Sequence, residues 1–266
     1  MATYVFSDVH GHHKTLERLL ERVSPCDEDE IWVLGDMVDR GPDPVSVIRT
    51  CRSFAHGHVL MVNHEAMMLD FIHNPTDELS AFQWEMNGGY TTRAGLVRLS
   101  EYELLDIIDW VEGLELGAHI SVGGRDYLMV HAGLRPLNFS ARSRWTDVTM
   151  DALLRYQNTE DLLWIRDEFW GQPTGFVDER GLGPIVIAGH TPVPYVEELA
   201  DTYDRPARNI EGECQIMHLG ASDATGGIAD RWAIDCGAAG GAGWGRIGMV
   251  RLDDGMEFYE AVLEGE

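Results

Sequence analysis

The chain has 266 residues, 44% of them hydrophobic and 24% charged, the composition of a globular protein that can bury a sizeable core. Its 20 Lys and Arg stand against 45 Asp and Glu, a formal charge of −25, which excludes a surface of clustered basic residues and with it a nucleic-acid partner. The four cysteines form no CxxC pair, no run is long enough to span a membrane, and the N-terminus lacks a secretory pattern, so a reduced, cytoplasmic protein with no membrane association is expected.

In chain order, the apolar run "TYVF" predicts a strand that ends on Ser7 and Asp8. "HHKTLERLLERV" follows, with Leu16, Leu19, Leu20 and Val23 at helical spacing. "IWVL" is a second strand, ending on Gly35 and Asp36, and "DPVSVIRTC" a short helix. "VLMV" is a third strand that stops at Asn63, His64 and Glu65, before the helical "EAMMLDFI". A zinc-protease pair is excluded there, because the position four residues after His64 is Met68. The ordinary reading makes Asn63 a helix cap and Glu65 a favourable first-turn acid.

A mostly helical insertion is expected at about residues 67–126, for example "YELLDIIDWVEGL", within a single domain spanning 1–266. "YLMV" then ends on His131, residues 147–170 read as helix, and "IVIA" ends on Gly189 and His190. Residues 193–227 show no assignable period. The tail from Trp232 alternates strand-like segments and turns, and "GAAGGAGWGRIG" lacks the Gly-Lys-Ser/Thr ending of a P-loop. Alternating strands and helices imply an α/β fold, whose ligands bind beyond the carboxyl ends of the strands.

Five of these strands place Asp, His or Asn at that edge: Asp8, His10, Asp36, Asn63, His131 and His190. Carboxylate, imidazole and amide oxygen together suit manganese, iron or zinc rather than calcium. Six ligands are too many for one tetrahedral zinc and fit two ions sharing a carboxylate, a recognised device for cleaving phosphate esters.

In order, "SDVHG", "GDMVDRG", "VNHE", "HAG" and "GHT" resemble the five signature segments of the phosphoprotein phosphatase family within the metallophosphoesterases, with small bacterial and phage-type members most similar. "AIDCGAAGG" is similar to that family's closing segment. The resemblance implies a sandwich of two mixed sheets flanked by helices (α/β/β/α). It implies that Asp8, His10 and Asp36 hold one ion, that Asp36, Asn63, His131 and His190 hold the second, and that Asp36 bridges. Manganese is the first expectation, with iron or zinc as alternatives. His64 would be the general acid, oriented by Asp39, and Arg40 would grip the phosphate. Arg166, in "LLWIR", is similar to a second phosphate-gripping arginine.

Three departures stand out: Ser7 for a glycine, "HAG" for a second glycine, and Val62 where the family has glycine before Asn-His-Glu. If that glycine needs a positive φ, or lies against the substrate, Val62 would strain the turn or crowd the site. The resemblance ranks serine/threonine phosphatase first, acting on phosphorylated protein or a small phosphoester by in-line attack of a metal-bridging hydroxide. The alternative is a dinucleoside polyphosphate hydrolase, and an inactive metal-binding scaffold ranks third. Glu65, Asp39 and the charge of −25, which repels polyanions, favour the phosphatase in that ranking.

Overall fold

The computed structural model describes residues 1–266. Strand and helix alternate first: β1 (Thr3–Phe6), α1 (His13–Val23), β2 (Glu30–Val33), α2 (Pro44–Ser53), β3 (Gly57–Val59) and α3 (Asn63–His73). Three helices follow, α4 (Glu78–Met86), α5 (Tyr90–Leu96) and α6 (Glu101–Glu112), before the hairpin of β4 (Gly117–Val122) and β5 (Arg125–Val130). The chain continues through α7 (Asp147–Arg155), α8 (Thr159–Trp164), α9 (Asp167–Trp170), β6 (Ile185–Ala188) and α10 (Val193–Leu199). It closes with β7 (Met217–Leu219), β8 (Arg231–Ala233), β9 (Arg246–Arg251) and β10 (Met256–Ala261).

The strands form two five-stranded sheets, ordered β10-β9-β1-β2-β3 and β4-β5-β6-β8-β7. In the first, β1, β2 and β3 are parallel while β9 and β10 run antiparallel. In the second, β5, β6 and β8 are parallel, flanked by antiparallel β4 and β7. Both sheets are therefore mixed. The period-2 geometry of a strand explains how they pack. Val5 points into an apolar core shared with Leu128, Val186 and Ala233 of the second sheet, whereas its neighbours Tyr4 and Phe6 point into a separate core with Leu16 and Leu19 of α1. The result is the expected layering: two sheets face to face, with helices outside.

Local chemistry sets several boundaries. α2 starts at Pro44, where no backbone donor is needed, and the Asp43 carboxylate accepts from Ser46 N at 3.1 Å. α6 starts behind Ser100, whose hydroxyl accepts from Glu103 N at 3.2 Å. The expected strand "VLMV" is shorter than its apolar run suggests. β3 stops at Val59, and Leu60 and Met61 instead pair with Glu115, ahead of the second sheet. Residues 193–227 resolve into α10, the three-residue edge strand β7 and loops tied by side chains, such as Asn209 Oδ1 accepting from Glu211 N and Glu213 N. Segments this short carry no period to detect.

Val62 overturns a sequence expectation. Its backbone is extended (φ −138°, ψ 177°), so the position does not need glycine, and its side chain is fully buried in the inter-sheet core. The space comes from Gly35 (φ +104°), where an added Cβ would lie 1.9 Å from Val62 Cγ1. The valine crowds a glycine of the neighbouring loop rather than the site.

Candidate active site

The polar strand-end residues meet along one seam, at the carboxyl ends of parallel strands from both sheets. Asp8 and His10 follow β1, Asp36 follows β2, Asn63 and His64 open α3 after β3, His131 follows β5, and His190 follows β6. Holding them together costs backbone strain. Eight non-glycine residues have positive φ, and six of them are here: Asp8, His10, Asp36, Asp39, Arg40 and His190. Left-handed non-glycine residues cluster where function over-determines the backbone. Close approach matters as well. A Cβ on Gly189 would lie 2.2 Å from Asp8 Oδ2, so only glycine lets His190 N donate to the Asp8 carboxylate at 3.1–3.2 Å.

Asp36 is the centre. Its Oδ2 lies 3.3 Å from His10 Nε2, 3.7 Å from His131 Nε2 and 4.0 Å from His64 Nε2. Its Oδ1 is buried without any hydrogen-bond partner. Carbonyls fix the tautomers of two imidazoles. His10 Nδ1–H donates to Val38 O at 3.1 Å and His131 Nδ1–H to Leu34 O at 2.8 Å, so both Nε2 lone pairs face the site. His131 Nε2 then meets Asn63 Oδ1 at 2.7 Å, acceptor against acceptor, which a shared cation would satisfy.

Electrostatics give the same answer. Burial lowers the His131 pKa to about 4, and burial followed by neighbouring His and Arg charges lowers His10 and His190, keeping all three as neutral ligands. Burial, then repulsion from Asp8, raises Asp36 and Asp235. Carboxylates gathered away from water without a paired cation are costly. The donor set therefore fits divalent ions. His10, Asp36 and His64 present ligand atoms within 4.8 Å of one another, and so do Asp36, His131 and His190.

His64 is held from behind. Its Nδ1–H donates to Asp39 Oδ2 at 2.6 Å. Asp39 also accepts from Trp84 Nε1 at 3.0 Å and from the Thr92 hydroxyl at 2.6 Å. His64 Nε2 faces the cavity, 3.4 Å from Arg40 Nη2. Arg166 reaches the opposite wall, where its Nε–H donates to His190 Nε2 at 3.1 Å. Arg40, Arg166, Asp36 and His190 all line one cavity of about 200 Å³. A larger cavity, about 480 Å³, lies against β4 and α7 and shares no residue with this cluster.

Every residue singled out from the sequence lies in this neighbourhood. The sequence reading gave no role to Asp235, which follows β8, lines the cavity and is anchored by Gly237 N at 2.7 Å. Its signal was present, since "WAID" is another apolar run ending on a carboxylate. Trp84 and Thr92 were also missed, and no local pattern marks them. Glu65 lies in the first turn of α3, as expected. It is also fully buried, accepting from Met37 N at 2.9 Å and holding the loop that carries Asp36 and Asp39.

Among curated proteins, the symmetrical bis(5'-nucleosyl)-tetraphosphatase of Acidovorax sp. (strain JS42) is 31% identical over 139 residues, covering 51% of this chain and 45% of the relative. The chain spans about half the length of the curated relatives it matches. A solved candidate diadenosine tetraphosphatase superposes with a TM-score of 0.55 at 16% identity, covering 99% of this chain and 94% of the other. A protein serine/threonine phosphatase from Saccharomyces cerevisiae gives 0.52 at 14% identity, covering 100% and 81%. At these identities the structures speak to the fold alone. The profile of the calcineurin-like phosphoesterase family matches residues 1–213. That span contains β1 to β6 and all the strand-end residues from Asp8 to His190, and the chain belongs to this family.

Proposed function

We propose that the protein is a hydrolase that uses two divalent ions to cleave dinucleoside polyphosphates symmetrically. The observation that carries the catalytic part is Asp36, with one oxygen within 4.0 Å of three imidazole nitrogens and the other unpaired. Asp8, His10 and Asp36 would hold one ion, and Asp36, Asn63, His131 and His190 the other. Mixed nitrogen and oxygen donors suit manganese first, then iron or zinc. Bound there, the ions supply positive charge and lower the pKa of a coordinated water.

The chain's own groups do the rest. Arg40 and Arg166 converge on the cavity with forked donors matched to phosphoryl oxygens. His64 delivers a proton to the departing oxygen from Nε2, and Asp39 fixes its orientation through Nδ1. His64 Nε2 lies 4.0 Å from Asp36 Oδ2, farther than His10 at 3.3 Å and His131 at 3.7 Å, and the Asp39 carboxylate behind it orients it for the proton-transfer role.

The curated relatives support a dinucleotide substrate and favour the alternative over the ranking drawn from sequence. The three features that favoured a protein phosphatase do not touch substrate. Asp39 and Glu65 are fully buried behind the site, and the charge of −25 belongs to the whole surface, screened beyond about 8 Å at physiological salt. The cavity wall itself carries Arg40 and Arg166. The phosphoserine/phosphothreonine reading keeps one point in its favour. The His64–Asp39 pair suits an alkoxide leaving group, which needs a proton more than a nucleoside diphosphate does.

The test is a comparison of kcat/KM for diadenosine tetraphosphate, a phosphoserine peptide and p-nitrophenyl phosphate on manganese-reconstituted protein. The dinucleotide is expected to lead, with ADP as sole product. A phosphopeptide preference would overturn the substrate assignment, and no turnover of any of the three would overturn the catalytic one.

A further inference from the structure

Two aromatic side chains share the cavity wall with Arg40 and Arg166: Trp164 and Tyr195. Both are open to solvent, Trp164 by 38% and Tyr195 by 52%. Trp164 ends α8, two residues before Arg166, and its ring meets His190 edge-on with centroids 5.8 Å apart. Tyr195 lies in the first turn of α10, which begins three residues after His190. Trp244 lies behind it, tilted by 34° with centroids 6.5 Å apart, and the Arg208 guanidinium stands 5.2 Å from the Trp244 ring. An aromatic and cationic strip thus runs outward from the phosphate-gripping centre.

Exposed aromatics beside a polar centre leave apolar ring faces in water that a flat ligand would cover. The cavity of about 200 Å³ is smaller than the roughly 300–1,000 Å³ pockets that enclose drug-sized ligands, so the bases of a dinucleotide must lie along its rim. Nucleobases stack on aromatic side chains whatever their sequence, and an arginine over a ring adds cation–π attraction. A dinucleoside polyphosphate has a base at each end of its phosphate chain, and here two aromatics and two arginines line one cavity. We infer that Trp164 and Tyr195 are the nucleobase platforms, each stacking one base while Arg40 and Arg166 hold the phosphates between them. Trp244 and Arg208 then stiffen the Tyr195 side. This assignment rests on the dinucleotide reading above and adds the residues that select nucleotides over other phosphoesters.

The experiment uses manganese-reconstituted protein carrying Trp164→Ala or Tyr195→Ala, with Trp164→Phe and Tyr195→Phe as conservative partners. Manganese content and circular dichroism establish that each variant is folded and loaded. Each alanine change should lower the ratio of kcat/KM for diadenosine tetraphosphate to that for p-nitrophenyl phosphate by about 5-fold to 150-fold, chiefly through KM. The phenylalanine variants should recover most of the ratio. By calorimetry, the alanine variants should weaken ADP binding by a similar factor and pyrophosphate binding much less. Wild-type hydrolysis of the dinucleotide with the ratio unmoved in both alanine variants would overturn the platforms alone. A wild-type protein that cleaves phosphopeptide but not dinucleotide would overturn the functional reading and the platforms with it.

Discussion

Val62 and Gly35 form a steric pair across the seam between β2 and α3, and a double-mutant cycle measures it. Val62→Gly removes a side chain that is fully buried in the inter-sheet core. The three lost side-chain carbons amount to about 2.4 kcal/mol of transfer at ~0.8 kcal/mol each. The cavity left behind raises this to roughly 2.5–3 kcal/mol, and glycine's freedom in an extended segment adds about 0.5–1 kcal/mol. The single change should therefore cost about 3–4 kcal/mol of stability. In Gly35→Ala the new Cβ would meet Val62 Cγ1 at 1.9 Å, and Cβ and Cγ2 at 2.7 Å, with φ at +104°. Overpacking costs roughly 1–3 kcal/mol, and the left-handed backbone about 1–2 kcal/mol more. Only the overpacking part disappears once Val62→Gly is also present, so the coupling energy should be about 1–3 kcal/mol. With Val62→Ala the Cβ contact at 2.7 Å persists, so the relief should be partial. The assay is guanidinium unfolding of chelator-treated protein, because bound metal would add its own stabilisation. Equal costs for Gly35→Ala in the wild-type and Val62→Gly backgrounds, or a Val62→Gly variant as stable as wild type, would refute the packing account.

His64→Asn should retain metal but slow turnover by about 10²–10⁴-fold. The loss should be greater on a phosphoserine peptide than on p-nitrophenyl phosphate, and equal losses would remove His64 from the acid role. Asp39→Asn should reproduce part of that defect with an altered pH profile, while Trp84→Phe, which deletes one donor to Asp39, should have a smaller effect of the same kind. Arg166→Ala should raise KM and lower kcat together, and wild-type kinetics in that variant would show that the guanidinium on His190 does not grip substrate. Burial pushes the Glu65 carboxyl up to about 8. A raised folded-state pKa contributes stability that is complete below the unfolded value near 4.3 and is lost as pH rises through about 8. Metal-free protein should thus weaken over that window, and Glu65→Gln should weaken less. Identical pH slopes in the two proteins would show that Glu65 is not held protonated.

The sequence by itself determined the strands, the edge at which they end and the chemistry placed there. An apolar run buried on both faces is a local property, and so is the polar residue that stops it, as in "TYVF" before Ser7 and Asp8 or "IVIA" before Gly189 and His190. Helical periodicity likewise marked α1 and α6. The tertiary structure alone decided what stands behind those residues. Trp84 and Thr92 reach Asp39 across 45 and 53 residues, from helices with no sequence mark of the task. His131 takes its tautomer from Leu34, 97 residues away and in the other sheet. Val62 reads as an intrusion along the chain and as a good fit in space, because Gly35 on the neighbouring loop left room for it. Trp164 and Tyr195 look like ordinary helix aromatics until the two sheets close and place both beside Arg40. Periodicity records which face of a segment is buried, while the partner it is buried against is fixed only when distant segments pack.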